Sequence, residues 1–487
     1  VNRKTVFLNY KSLIASAVVA LIFVFAGAAV SAVAEKSNAP YDIVIKNGRV
    51  MDPDTNFDAM GYNVGIRGST ITAVTKDDIK GTIEIDAKGR AVTPGFIDVL
   101  SYDPIEYGVK YKISDGVTTN LALHGGTVKM GPWYKSFEGK TAVNFGAAFF
   151  YMAARGELGI SIYKAATGAD IEKLKKTAQK ALDDGALAIG ISLEYAPGIT
   201  AEEVEAMARI AAAYKVPVFF HARYSDMEEP GTNFDALREI IDVAKKTGAA
   251  VHVDHINSTG GTFSMNESVA MVKKAIADGI DITACIYPYD YWATHLNMAR
   301  FDGDWQKRFR IGYNDLQLGA STERLTEESF KKYRKQGKLA VAYAIPAEDV
   351  VAAIKAPFVM IGSDGILNPG NNNHPRGAGA FVRTIAVYAR EKNVITLMEA
   401  IAKMTIMPAK RLERGAPVFK KKGRLSVGAD ADILIFDPEN VRDTATVVKP
   451  NSHSVGMDYV IVGGVIVKDE NGVRRNVAPG RALKSSR

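Results

Sequence analysis

The chain has 487 residues, 47% hydrophobic and 24% charged, enough to bury a large core and too apolar for a disordered chain. A formal charge of +7 is modest for this length, and its Lys and Arg are scattered among acids, so composition gives no nucleic-acid footprint. The single cysteine, Cys285, excludes an intrachain disulfide and a cysteine-built zinc site.

Residues 3–34 read as an export signal. Arg3, Lys4 and Lys11 form a basic start, Leu13–Val33 is apolar and small, and Ala32-Val33-Ala34 is an A-x-A cleavage site. The apolar stretch is also long enough to serve as an uncleaved membrane anchor, the one circumstance in which a membrane partner is expected. Either way the rest of the chain is expected outside the cytoplasm, periplasmic or extracellular. No lipobox cysteine accompanies it.

From Tyr41 to about 92 the chain reads as short strands with Asn-Gly and Gly turns, as in YDIVIKNGRVMD. Residues 416–480 return to the same style in DILIFDP and DYVIVGGVIVKDENG. The two ends are expected to combine into one small β domain. The segment between them, 93–415, alternates apolar runs with helical stretches. The runs are PGFIDVLS, VTTNLAL, VNFGAAFF, LAIGISL, VPVFF, AAVHVDH, ITACIY and FVMIGSD. Eight runs with helical crossovers predict an α/β fold, a (β/α)8 TIM-like barrel. The interval 291–345 is polar, aromatic and only partly helical; an insertion of that kind after a strand is expected to be an active-site lid.

The organising unit is Val216 to Gly261, a strand, a helical stretch (FDALREIIDVAKK) and a second strand. His221 closes the first strand and Asp254-His255 the second. The C-terminal rim of a parallel barrel is where ligands and catalytic groups collect. Other strands end on His124, Glu194, Tyr287 and Asp364, and His374-Pro375-Arg376 follows the last. His124, His221 and His255 with Asp364 suit a single Zn2+ with an open position, the pattern of catalytic rather than structural zinc. Bound zinc lowers the pKa of water to about 7, and Asp364 is placed to take a proton and return it to a leaving group. Singly, each residue has an ordinary structural role available: Asp364 as a helix cap, His374 as a surface residue, Glu194 as a partner of Arg223.

The segments YDIVIKNGRVMD, TPGFIDV, DGVTTN, FFHARYSD, VDHINSTGG, YPY, MIGSDG, HPRGAGAFVR and GRLSVGADADILIFDPENVRDTAT occur in an order that resembles the amidohydrolase superfamily. Within it the chain is similar to the N-acyl-D-amino-acid deacylases. That resemblance implies a split β domain plus a barrel, and zinc-dependent hydrolysis of the N-acyl amide of a small-molecule N-acyl-D-amino acid, N-acyl-D-glutamate among them. It implies metal ligation by His221 and His255, acid/base chemistry by Asp364, and substrate-carboxylate binding by Tyr287 and Arg376. Arg223, Asn257 and His374, close by at the strand ends, are further candidate substrate-binding residues.

The chain departs from the family pattern at several places. Leu100 and Tyr102 stand where the superfamily has His-x-His, so one zinc per chain is expected rather than two. His124 stands one position before the family's cysteine ligand and is expected to replace it. Asn257 stands in place of a lysine. Glu194 is atypical and is a candidate bridging ligand or a base placed behind the ligands. A D-residue dipeptidase, or a lactone or cyclic-amide hydrolase, would use the same site, and a non-catalytic barrel is the remaining alternative. Oligomeric state is not legible.

Overall fold

The computed structural model describes residues 41–370 and 374–486. The predicted leader lies outside the described residues. Among them, no helix is long and apolar enough to cross a membrane.

Eight short strands form one parallel sheet in sequential order: β1 (Phe96–Asp98), β2 (Val117–Thr127), β3 (Asn144–Phe150), β4 (Ile189–Ser192), β5 (Val218–His221), β6 (Val251–Val253), β7 (Ile282–Ile286) and β8 (Val359–Ile361). Each overlaps one of the eight predicted runs, β2 and β5 running past theirs to Thr127 and His221. They read as continuous Val/Ile/Phe/Ala runs because helices cover one face and side-chain layers fill the other. The sheet curls until its ends meet: Ser101 bridges Gly365 in parallel, and Asp364 N–H donates to Leu100 C=O at 2.6 Å. The fold is a nearly closed (β/α)8 barrel.

The crossover helices carry their own start signals. Thr167, Thr200 and Thr232 cap Gly168–Asp183, Ala201–Tyr214 and Asn233–Thr247 through reciprocal bonds with Asp170, Glu203 and Asp235. Asn233–Thr247 buries Ala236, Leu237, Ile240, Val243 and Ala244 against the barrel, and Gly248 ends it with φ of +69°. Each buried Leu or Ile there contributes about 1.5–3 kcal/mol.

A second sheet joins the two ends of the described chain. Ala91–Pro94 pairs antiparallel with Ile433–Phe436 on one side and parallel with Tyr41–Asp52 on the other. Interval 291–345 folds around a three-stranded antiparallel sheet of Trp292–His295, Leu316–Leu318 and Leu339–Ala342. Trp292, Met298, Arg300 and Leu339 from this insertion wall the cavity at the barrel mouth.

Candidate active site

The barrel rim brings His124, His221 and His255 together. One ring nitrogen of each lies within 4.8 Å of the others, and ring centroids are 4.7–5.6 Å apart. His221 is the last residue of β5. His255 follows β6 with φ of +28°, a conformation few L-residues adopt. His124 reaches the centre because β2 changes register between Ala122 and Thr127. Gly126 makes that possible: its φ is +99°, and a Cβ there would lie 2.2 Å from Ala148 C=O.

Each imidazole has its outer nitrogen engaged by the protein. His124 Nδ1 lies 2.8 Å from Asp254 Oδ2, and His221 Nε2 lies 2.9 Å from Glu194 Oε2. His255 Nδ1 lies 3.3 Å from Thr259 Oγ1, whose own proton goes to Asp254 C=O. Donation to these acceptors fixes the tautomers and leaves His124 Nε2, His221 Nδ1 and His255 Nε2 as lone-pair nitrogens. His221 Nδ1 is buried and has no hydrogen-bond partner. A buried bare lone pair beside two others is what a cation satisfies, so the residues fit a metal ion.

The electrostatics agree. Burial lowers the pKa of His221 to about 4, outweighing the pull of Glu194, and drives that of His255 well below the usual range. Both are therefore neutral imidazoles at neutral pH. Burial opposes protonation of His124 as well, but Asp254 and Asp364 outweigh it and raise its pKa. The same negative field favours a cation at His124 Nε2.

Asp364 follows β8 with φ of +49°, also left-handed. Its Oδ1 faces His124 Nε2 at 3.8 Å and accepts from the Tyr102 hydroxyl at 3.4 Å. Its Oδ2 pairs with Arg376 Nη2 at 2.7 Å. Beneath it, Asp98 Oδ1 accepts from Ser363 N–H at 3.0 Å, and Asp98 Oδ2 accepts from Lys112 Nζ at 2.5 Å and Ser363 Oγ at 2.6 Å. This network ties the first strand to the last and sets the height of Asp364. Arg376 lies over the Tyr287 ring at 4.4 Å. The Tyr287 hydroxyl is buried and unpartnered, and burial pushes its pKa up to about 12, so it stays protonated as a donor.

The cavity over these groups measures ≈230 Å3. His124, His221, His255, Asp364, Tyr287, Arg376 and His374 all line it. Three expectations require correction. Glu194 is not free to bridge a metal: its Oε2 holds His221 and Arg300, and its Oε1 holds Ser225 and Arg308. Burial would raise its pKa, but Arg300, His221 and Arg308 hold it at about 2. Arg223 is turned away to Glu239 at 2.7 Å and to Pro197 and Ile199 carbonyls, outside the cavity lining. Asn257 spends its amide on the Tyr287 and Tyr289 carbonyls and does not line the cavity. His374 lines it, but its Nδ1 accepts from Arg376 N–H and its Nε2 donates to Tyr291 C=O, so it braces the loop. Leu100 is fully buried among apolar neighbours and Tyr102 offers a phenol, so the His-x-His positions supply no imidazole.

Sequence reasoning missed the role of Asp254, although its place beside His255 at the same strand end was visible. It also missed Arg300. That residue comes from the insertion, and no local pattern marks which of its many cations turns inward.

The amidohydrolase family model matches residues 98–467. The chain is 28% identical to the N-acyl-D-glutamate deacylase of Alcaligenes xylosoxydans xylosoxydans over 91% of this chain and 96% of that one. It is 26% identical to the D-aminoacylase of the same organism over 90% and 96%. Among solved structures it resembles the N-acyl-D-glutamate deacylase of Bordetella bronchiseptica, solved with zinc and a phosphonate mimic of the tetrahedral intermediate. That match has a TM-score of 0.80 at 25% identity and covers 92% of this chain and all of the other. The geometry and the match over most of its length lead to one conclusion: the chain belongs to the amidohydrolase family.

Proposed function

We propose that the protein hydrolyses the N-acyl amide of N-acyl-D-amino acids, releasing a carboxylic acid and the free D-amino acid, with one catalytic zinc ion at the three-histidine site. The observation that carries this is the convergence of three oriented lone-pair imidazoles on Asp364, with Arg376 and Tyr287 on the same cavity wall. The deacylase relatives support the substrate class.

His124, His221 and His255 would hold the zinc through Nε2, Nδ1 and Nε2. When bound, zinc supplies Lewis acidity and a water acidified toward neutrality. Asp364 Oδ1 takes the proton of the attacking water as the new C–O bond forms. It delivers that proton to the departing nitrogen as the C–N bond breaks. Arg376 Nε and Nη2 are engaged by the Asp364 and Ala293 carbonyls and the Asp364 carboxylate, so Arg376 offers the α-carboxylate its Nη1 donors, and the Tyr287 hydroxyl a further one. The substrate carboxylate competes with Asp364 for Arg376, which ties binding to release of the Asp364 carboxylate.

The remaining wall combines Phe150, Met152, Trp292, Met298, Leu339 and Ile366 with the hydroxyls of Ser192, Tyr195, Ser258 and Thr294 and the His295 ring. Arg300, the other guanidinium lining the cavity, is neutralised by Glu194 at 2.6 Å. A second carboxylate on the substrate would meet apolar side chains, hydroxyls and an imidazole, with the one further guanidinium already compensated. An apolar side chain is therefore favoured over D-glutamate. The basic, apolar and A-x-A features of residues 3–34 support export to the periplasm or beyond.

The test is zinc content of the purified chain together with amine release from N-acetyl-D-methionine, N-acetyl-D-glutamate and their L-forms. Zinc that is reduced by one equivalent in His221→Ala, with D-selective turnover, methionine ahead of glutamate, is expected. Turnover confined to lactones or amides lacking a carboxylate would overturn the assignment.

A further inference from the structure

Below the three-histidine layer the barrel interior holds a second convergence of ligand groups. His252 and Asp254 are two apart at the end of β6, and Thr283 and Cys285 are two apart on β7. Alternation along a strand turns all four side chains to the same interior. The register His252↔Thr283 and Val253↔Ala284 puts Asp254 level with Cys285. Ligand atoms of His252, Asp254 and Cys285 lie within 4.8 Å of one another, and the three residues are 0–2% exposed.

The hydrogen bonding in this cluster does not close. His252 Nδ1 is engaged with Thr283 Oγ1 at 2.8 Å, while its Nε2 is buried with no partner. Asp254 Oδ2 is engaged with His124, while its Oδ1 is buried with no partner. When the Thr283 hydroxyl accepts from His252 Nδ1, Nε2 and Asp254 Oδ1 are both bare buried acceptors, each costing about 1–3 kcal/mol. One Cys285 S–H supplies a single weak donor to two of them.

We propose that His252 Nε2, Asp254 Oδ1 and Cys285 Sγ form a second, structural site for a zinc-type divalent cation, separate from the three-histidine site. Mixed nitrogen, oxygen and sulfur donors suit Zn2+. On binding, the Cys285 thiol gives its proton to solvent and the thiolate takes the metal. None of the three residues lines the substrate cavity, so this cation meets no substrate. It acts through Asp254, which would touch this cation with one oxygen and His124 with the other. The orientation and basicity of His124 would then depend on a metal that takes no part in the chemistry. This proposal does not depend on the identity of the substrate.

The experiment is anaerobic reconstitution of the purified chain with Co2+, read by metal content and near-ultraviolet absorption. Cys285 is the only cysteine, so a thiolate-to-cobalt charge-transfer band reports this cluster alone. Two cobalt equivalents and the band are expected in the wild type. His221→Ala should lose one equivalent and keep the band. Cys285→Ser and His252→Phe should each lose one equivalent and the band. A folded wild type with no band, or with one equivalent only, would overturn the proposal and leave a packed cluster sharing a proton. A band that survives His252→Phe would overturn the ligand set. The wild-type spectrum decides the matter even where a variant does not fold.

Discussion

Asp364 Oδ2 and Arg376 Nη2 stand 2.7 Å apart, so the group placed to move the proton is bonded to the group placed to hold the substrate. Both are at least nine-tenths buried, which makes the pair strong and its rupture costly. A substrate carboxylate is a replacement partner for Arg376, and an uncharged amide is not.

Arg376→Ala should therefore raise KM for N-acyl-D-amino acids by about 10- to 100-fold, the worth of a charge-assisted hydrogen bond of about 1.5–3 kcal/mol. Steady-state kinetics on an N-acyl amine of equal size checks this. Loss of the same size on that uncharged amide would show that Arg376 serves Asp364 and not the carboxylate.

Glu194→Gln should weaken metal binding about 10- to 100-fold, because the carboxylate fixes the His221 tautomer. It should also lower stability, since Arg300 is left without its ionic partner in a buried place. Competition with a chelator measures the first effect and denaturant unfolding of metal-free protein the second. If stability falls while metal affinity is unchanged, Glu194 serves Arg300 alone.

Asp98→Asn should cost about 3–5 kcal/mol, because Lys112 is then a buried ammonium without its counter-ion. Adding Lys112→Met should recover part of the loss. A double variant less stable than the single one would argue against pairing as the origin. The lost tie between Asp98 at the end of β1 and Ser363 just past the end of β8 should also lower kcat, through the height of Asp364.

Lys403 donates to the Ala356 and Val359 carbonyls at 2.7 and 2.9 Å, and burial pushes its pKa down to about 8. Below that value both folded and unfolded chains carry the charge, and the burial cost is fully present. Between about 8 and the ordinary value of 10.5 the unfolded chain binds more protons, so this group makes stability rise with pH. The stability of the wild type relative to Lys403→Met should therefore improve across that window, in urea unfolding at pH 7.5 and pH 10. A pH-independent difference would sink the assignment.

The eight barrel strands, the helical crossovers and the histidines that close strands were legible in the sequence. Their causes are local: apolar runs bury, Thr-x-x-Asp/Glu boxes start helices, and a polar residue after a buried run falls on the rim. Asp364, His221 and His255 followed from position alone. The choice of partners did not. Asp254 binds His124 across 130 positions, and Arg300 reaches Glu194 across 106. Arg223 and Asn257 share the rim with the ligands and yet turn to Glu239 and to backbone carbonyls. Local spacing places a side chain on a strand end. Which nitrogen stays bare, and which charge is neutralised, depends on distances fixed only when the barrel closes and water is excluded. Tertiary structure alone decided those, because burial makes every unpaired polar atom expensive and so forces pairings between residues distant in the chain.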